Sequence, residues 1–461
     1  MGLAHPPFGW RLDPREKHVA HLLGERGYTT TLVGMQHLIE RGSAHELGYS
    51  TVLPVAPAHE EADAAIGCLH ELVGQERPFY LEVGFEEPHR PYDFGGAQPD
   101  AGRGVAVPGY LPDIPESRQD MAAFQGAIRQ MDAGVGRILA ALDDLGIAES
   151  TCVIFATDHG AAMPRSKCTL YDPGIEVALL WRWPSGGVTG GRVITEMVSN
   201  VDVAPSLLEA LGVPVPSNMQ GQSFWPLLSP ALSGLPWATA PAAETGPTGT
   251  TGSPGATSPA GASGPGGVNA PGDAGGPSGA TGSSGAMSPP GASGPGGPTG
   301  PTAATGPTGT TGSSSAIGPA GETGPSGAAG RAYSPRSEIF AEKTFHTYYE
   351  PMRAIRTARY KLIVNFEVST RVDVPADVRE SPIYPRMLPE LNGIRPPVEL
   401  YDLEGDRWEQ HNLADDPEYA DILSDLSQRL LAWMRSTDDP LLRGPVPSPY
   451  YADAVARLTR A

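Results

Sequence analysis

Between residues 239 and 332 the sequence collapses onto Gly, Pro, Ser, Thr and Ala, and this stretch divides the chain. From Gly246 onward, glycine falls on roughly four of every five third positions, a Gly-X-Y pattern. Ser258, Ala270, Asp273, Ser288, Ala303 and Ser315 interrupt it. A longer period of about thirty residues is also present, since Gly246-Pro247-Thr248, Gly276-Pro277-Ser278 and Gly306-Pro307-Thr308 open successive copies. Such a stretch has almost nothing to bury, so it is expected to be a disordered, polyproline-II-rich insert. It also explains why 461 residues contain 58 Gly and 49 Pro. Two ordered parts remain, 1–238 and 333–461.

Helical and strand patterns alternate before the insert. A helix is expected over 15–27, with Val19, Leu22 and Leu23 on one face, then a strand over Tyr28–Val33 and a helix over Ala62–Val73. Phe79–Phe85 reads as a buried strand. Asp120–Leu145 is the strongest helix, with Met121, Phe124, Ile128, Met131, Val135, Ile138, Leu142 and Leu145 in three-and-four spacing. Strands follow at Val153, at Val177–Trp183 and at Val193–Val198, and Asp202 caps a helix that ends at Gly212. The alternation predicts an α/β fold with a mostly parallel sheet flanked by helices. After the insert, strands over 337–346, 356–365 and 399–403 have no helices between them. They predict a smaller antiparallel sheet, closed by a helix over Tyr419–Arg435. Arg353, Arg356 and Lys361 are expected to be solvated strand charges.

Three strand exits carry a histidine. His37 follows the Tyr28–Val33 strand, and His89 lies in Glu86-Glu87-Pro88-His89-Arg90-Pro91, a loop stiffened by proline. His159 ends Val153-Ile154-Phe155-Ala156-Thr157-Asp158-His159-Gly160. Open α/β sheets keep their chemistry at such exits, and Asp158 with His159 presents two metal-capable groups. Lys167, on the next loop, would hold an anion against a metal bound there. One loop histidine is ordinarily incidental; three at corresponding exits point to one crevice. Glu342 and His346 are further candidates where the ordered chain resumes.

Several signposts in order carry a family resemblance: Thr157-Asp158-His159-Gly160, Lys167-x-Thr169-x-Tyr171-Asp172-x-Gly174, Val201-Asp202-Val203-Ala204-Pro205-Ser206, Gln220-Gly221-Gln222-Ser223 and Glu399-Leu400-Tyr401-Asp402-Leu403. With them the chain resembles the type I sulfatases of the alkaline phosphatase superfamily. Pro88-His89-Arg90-Pro91 and Ala341-Glu342-Lys343-Thr344-Phe345-His346 are similar to the heparan N-sulfatase (sulfamidase)-like branch. The resemblance implies an alkaline-phosphatase-like fold and hydrolysis of a sulfate ester or sulfamate on a sulfated small molecule or glycosaminoglycan-type saccharide. It makes Asp158 and His159 ligands of a divalent cation, calcium first, with manganese or zinc as alternatives. His89 and Lys167 would hold sulfate oxygens, His37 would assist the nucleophile, and Arg90, Glu342 and His346 would bind substrate.

Two departures accompany the resemblance. Met35 stands where the family has a lysine, which removes one positive charge. The C/S-x-P-x-R motif, whose Cys or Ser becomes formylglycine, does not occur in the 461 residues, nor does the Asp-Asp pair of the first strand. Cys68, followed by Leu-His-Glu-Leu, cannot substitute. The expectation is therefore a sulfatase chain truncated before its nucleophile and inactive in this form, with one sheet flank exposed.

Composition narrows the partners. A formal net charge of −20 argues against nucleic acid and anionic membranes. No apolar run reaches membrane-span length, and the first ten residues carry no export pattern. Three cysteines form no metal or redox spacing and are expected to be free, partly buried thiols. Two other readings stand beside the sulfatase. One is a phosphate or phosphonate ester hydrolase of the same superfamily; the other is a non-catalytic, collagen-like surface protein whose function lies in the insert.

Overall fold

A computed structural model describes residues 10–40, 42–75, 77–228, 333–367 and 372–460. The insert at 239–332, with its expected register and disorder, lies outside the described residues.

Helix α1 (Val19–Gly24) is shorter than the expected 15–27 span and buries Ala20, Leu22 and Leu23. Next come β1 (Thr29–Gly34), β2 (Thr51–Leu53), α2 (Ala58–Val73) and β3 (Phe79–Gly84). β1 pairs in parallel with both β2 and β3, in the order β2-β1-β3. α2 packs on β1 and β3 and against the long α3 (Pro115–Asp144). Proline fits the first turn of a helix, so α3 starts before the expected Asp120. Its buried line is Asp120, Ala127, Gly134 and Ala141, while most of the large apolar residues expected to be buried are only half-buried. Close approach is the reason: a Cβ on Gly126 would lie 2.0 Å from the Gln98 carbonyl oxygen, and one on Gly134 3.0 Å from that of Ala58. Neighbouring backbone needs small residues there.

β4 (Val153–Ala156) leads through α4 (Asp172–Ile175) to β5 (Leu179–Arg182). β5 runs antiparallel to β4 in a separate two-stranded sheet, a departure from the mostly parallel expectation. The connection holds only a one-turn helix, whereas a parallel return normally uses a full helical crossover. β3 and β4, expected to be buried, are half-exposed along most of their length. Among the described residues each has a strand partner on one edge only.

Val193–Val198 forms no strand. α5 (Val203–Ala210) follows, and Gly212 leaves it at a φ of 66°. Asp202 does not cap α5 through its side chain. Its carboxylate accepts instead from the N–H groups of Ser199 and Gln222 and pairs with Arg336. Arg336 lies beyond the insert, and the described residues on both sides belong to one compact unit. α6 (Trp225–Leu228) closes the part before the insert.

After the insert, β6 (Glu338–Phe345), β7 (Tyr349–Thr357), β8 (Tyr360–Asn365) and β9 (Val398–Asp402) form an antiparallel meander. The strand expected over 356–365 is two strands, divided at Ala358 and Arg359. Helices α7 (Ala376–Arg379) and α8 (Tyr384–Leu391) lie between β8 and β9, and α9 (Ala420–Ser436) and α10 (Pro449–Thr459) follow. Alternate residues face opposite sides of a strand. Ile355, Leu362 and Leu400 meet Leu426, Leu430 and Met434 of α9. Met352, Ala354, Ile363 and Tyr401 meet Leu170 and Tyr171.

Coverage on both faces overturns the expectation of solvated strand charges. Arg353 and Lys361 are wholly buried. Arg353 Nε lies 2.5 Å from Asp439, and Lys361 Nζ lies 2.5 Å from Asp172 and 2.7 Å from Glu409. Arg356, partly buried, pairs with Asp172 at 3.0 Å. No described helix is long and apolar enough to cross a membrane.

Candidate functional site

The loop from β4 to α4 is held in shape from within and from the C-terminal sheet. Gly160 donates to the Gly174 carbonyl at 3.0 Å, and a Cβ on Gly160 would lie 1.8 Å from the Pro173 carbonyl oxygen, so only glycine fits. Arg165 lies 4.4 Å over the Tyr171 ring, pairs with Glu390 at 3.0 Å and donates to the Glu409 carbonyl at 2.7 Å. Asp172 is gripped by Lys361 and Arg356. Lys167 is thereby fixed in direction, with its side chain buried.

Its ammonium meets the histidine of another loop. Lys167 Nζ lies 3.2 Å from His89 Nε2 and donates to Asp377 Oδ2 at 2.7 Å, and that oxygen is 3.3 Å from His89 Nε2. His89 Nδ1 is 2.5 Å from the Arg90 carbonyl oxygen, which places a proton on Nδ1. Burial works to raise the Asp377 carboxyl, but the Lys167 hydrogen bond and the charges of Lys167 and His89 hold it below the usual range.

Arg90 faces inward. Its guanidinium spans both oxygens of Asp120 at 2.8 and 2.5 Å, donates to the Ala162 carbonyl at 3.1 Å and lies 4.1 Å over Tyr92. It fastens the His89 loop to α3 and to the segment that leads to Lys167. In this arrangement its donors are spent on the protein.

His346 joins the same neighbourhood through charge. Burial pushes its imidazolium down to about 4; Asp373 and Asp377 oppose that, while Lys343 and Lys167 reinforce it. Lys343 is buried between Glu350 at 2.6 Å and Asp373 at 3.1 Å. Glu342, more exposed, lies 3.2 Å from Arg353. His37 is exposed on the loop after β1. A cavity of about 190 Å³ opens beside Lys167, with Arg165, Tyr171, Asp373, Arg395 and Tyr401 among its walls.

Asp158 and His159 stand apart from this cluster in character. Asp158 Oδ2 lies 3.3 Å from His159 Nε2, with the Asp158 side chain 84% exposed. His159 Nδ1 meets the Gly160 carbonyl at 2.7 Å. Among the described residues no three His, Cys, Asp or Glu side chains gather as a metal site. A hard divalent cation takes about six oxygen-rich ligands, so this pair alone does not fit calcium. Cys68, Cys152 and Cys168 are free and half-buried, and burial pushes the Cys152 thiol up to about 11.

The structure thus unites His89, Lys167 and the surroundings of His346, and adds Asp377, Asp373 and Lys343. Lys343 carried a signal, lying inside the Glu342–His346 motif. Asp377 and Asp373 carried none, because only the tertiary fold brings 372–378 to the loop after β4.

Residues 1–213 match the Sulfatase family. The part of the chain before the insert is thus similar to the sulfatases. Human N-sulphoglucosamine sulphohydrolase is 30% identical over 264 residues, which cover 47% of this chain and 50% of that relative. The match thus spans about half the length of that curated relative. A Bacteroides fragilis structure described as a sulfatase superposes with a TM-score of 0.57 at 15% identity, covering 96% of this chain and 82% of that one. A protein solved with its substrate D-glucosamine-2-N,6-O-disulfate gives a TM-score of 0.53 at 14% identity, covering 93% and 84%. These structural neighbours share the fold described above, a parallel sheet flanked by helices with a smaller antiparallel sheet.

Proposed function

We propose that this chain is the sulfate-recognising part of a sulfatase directed at a sulfate ester or sulfamate on a saccharide. The observation that carries the reading is the meeting of Lys167 and His89 at 3.2 Å, two groups from separate loops converging on one point. The sulfuryl oxygens carry the negative charge of the bound group, and when its bond to oxygen or nitrogen breaks the electron pair passes to that leaving atom. Donors fixed at the sulfuryl oxygens hold and orient the group with less reorganisation than mobile water needs. Lys167 supplies a buried charge and His89 a directional partner whose ring is oriented by the Arg90 carbonyl. His346 and Glu342, at the end of β6, are proposed to face the sugar. A saccharide is supported by the relative named for N-sulphoglucosamine and by the neighbour solved with a disulfated glucosamine.

Turnover needs groups that these residues do not supply. The 461 residues contain no formylglycine precursor motif, and the Asp158–His159 pair does not complete a metal site among the described residues. The chain is therefore proposed to bind a sulfated group without hydrolysing it. Incubating it with calcium and either an aryl sulfate or N-sulfoglucosamine is expected to release no product above background. Metal-dependent release that disappears in Lys167→Met would keep the site and overturn the inactivity.

A further inference from the structure

Asp377 lies between Lys167 and His89. Its Oδ2 is 2.7 Å from Lys167 Nζ and 3.3 Å from His89 Nε2, the two groups assigned above to the sulfuryl oxygens. A carboxylate oxygen and a sulfuryl oxygen seek the same charged donors. We propose that Asp377 occupies the anion seat of the ligand-free site and must turn off Lys167 and His89 before a sulfate or sulfamate group binds. The inference rests on the reading of Lys167 and His89 as sulfate-holding groups, and it adds the residue that controls their availability.

The surrounding fold restricts how that exchange happens. Asp377 sits in the first turn of α7, and Val372, Val374 and Val378 on either side belong to the apolar core. Asp373, four residues earlier, is held by Lys343 at 3.1 Å and accepts from the N–H of Thr347 at 3.1 Å. The backbone of this segment is pinned, so the freedom left is rotation of the Asp377 side chain. Opening the seat breaks an ion pair and moves no loop. A ligand must outcompete a carboxylate already in place, which favours fully charged groups with several oxygens over neutral polar ones. Asp377 is thus a specificity-determining residue that acts through Lys167 and His89.

Titrating inorganic sulfate calorimetrically into the full chain tests this, with Asp377→Asn, Lys167→Met and the double variant alongside. Asp377→Asn keeps the size of the side chain and removes its charge. It is expected to tighten sulfate binding at least about tenfold, the scale of removing one contacting like charge under near-solvent screening. The double variant loses that gain. A purely structural role for Asp377 predicts the opposite sign, since a loosened site binds more weakly. Unchanged, weaker or absent binding by Asp377→Asn, at an unfolding temperature equal to wild type, overturns the proposal. If Asp377→Asn misfolds, Asp377→Ser carries the same expectation. Should Lys167→Met alone leave wild-type sulfate affinity intact, the reading of the anion seat falls as well; a Lys167-dependent affinity that Asp377→Asn fails to improve sinks only the role of Asp377.

Discussion

Lys167 and the Asp158–His159 pair leave the same loop, yet one side chain is buried and the other pair meets solvent. The difference lies in what covers them. Around Lys167, Asp172 of α4 meets Lys361 of β8 and Glu409 beyond β9 in a buried cross-link, and Asp377 and His89 complete the surroundings. At Asp158 no comparable set of groups arrives among the described residues. Burial with partners fixes a charge in direction; exposure leaves it mobile and screened. The Lys167 half of the site is accordingly the part that the described fold builds.

The largest effect should come from breaking that cross-link. Lys361→Met leaves Asp172 and Glu409 buried without their shared cation, with only Arg356 still beside Asp172. A loss of about 3–5 kcal/mol is expected in denaturant unfolding. Adding Glu409→Gln should restore part of it, because the second buried charge then goes too. A loss below about 1 kcal/mol would mean that water reaches these groups and that the contrast with Asp158 is smaller than drawn.

An intermediate effect belongs to the parallel-sheet half. Glu61 on α2 is wholly buried; one oxygen accepts from Ala56 N–H at 3.0 Å and the other has no hydrogen-bond partner. Burial pushes its carboxyl up to about 7, the Ala56 hydrogen bond opposes this, and the charges of Glu87 and Glu86 add to it. The folded chain therefore keeps a proton that the unfolded chain releases near 4.5. Stability should fall as pH rises from 4.5 towards 7 and stay reduced above that. Glu61→Gln removes this dependence and should gain about 1–3 kcal/mol at pH 8 with none below pH 4. Equal gains at both pH values would show that the carboxylate is solvated, unlike Lys361.

Much of this contrast was legible in the sequence, in uneven parts. Period-two and three-and-four spacings located β1, β3, α2, α3 and α9 to within a few residues, because apolar periodicity reports a face that something covers. Spacing does not report what covers it. Arg353 and Lys361 read as solvated because their strands alternate like any half-exposed pair; only the packing of α9 on one face and the Lys167 loop on the other buries them. The same limit hid the antiparallel return of β5. Lys167 and His89 stood out as chemistry-bearing residues at strand exits. Asp377 did not, since an aspartate in the first turn of a short helix is ordinary until the fold sets it between a lysine and a histidine.

The smallest expected effect tests the other side of the comparison. Asp158 is mostly exposed, and its visible partner is the adjacent His159, so Asp158→Ala should change stability by less than about 0.5 kcal/mol. Calcium should raise the unfolding temperature of neither protein, because a cation that binds the native state weakly shifts the folding equilibrium little. The two measurements together are sharper than either alone. A calcium-dependent rise in the wild-type chain that vanishes in Asp158→Ala would show that further oxygen ligands assemble around this carboxylate. The contrast with Lys167 would then be one of occupancy by a cation and not of construction, and sulfate affinity measured with and without calcium would rise in step.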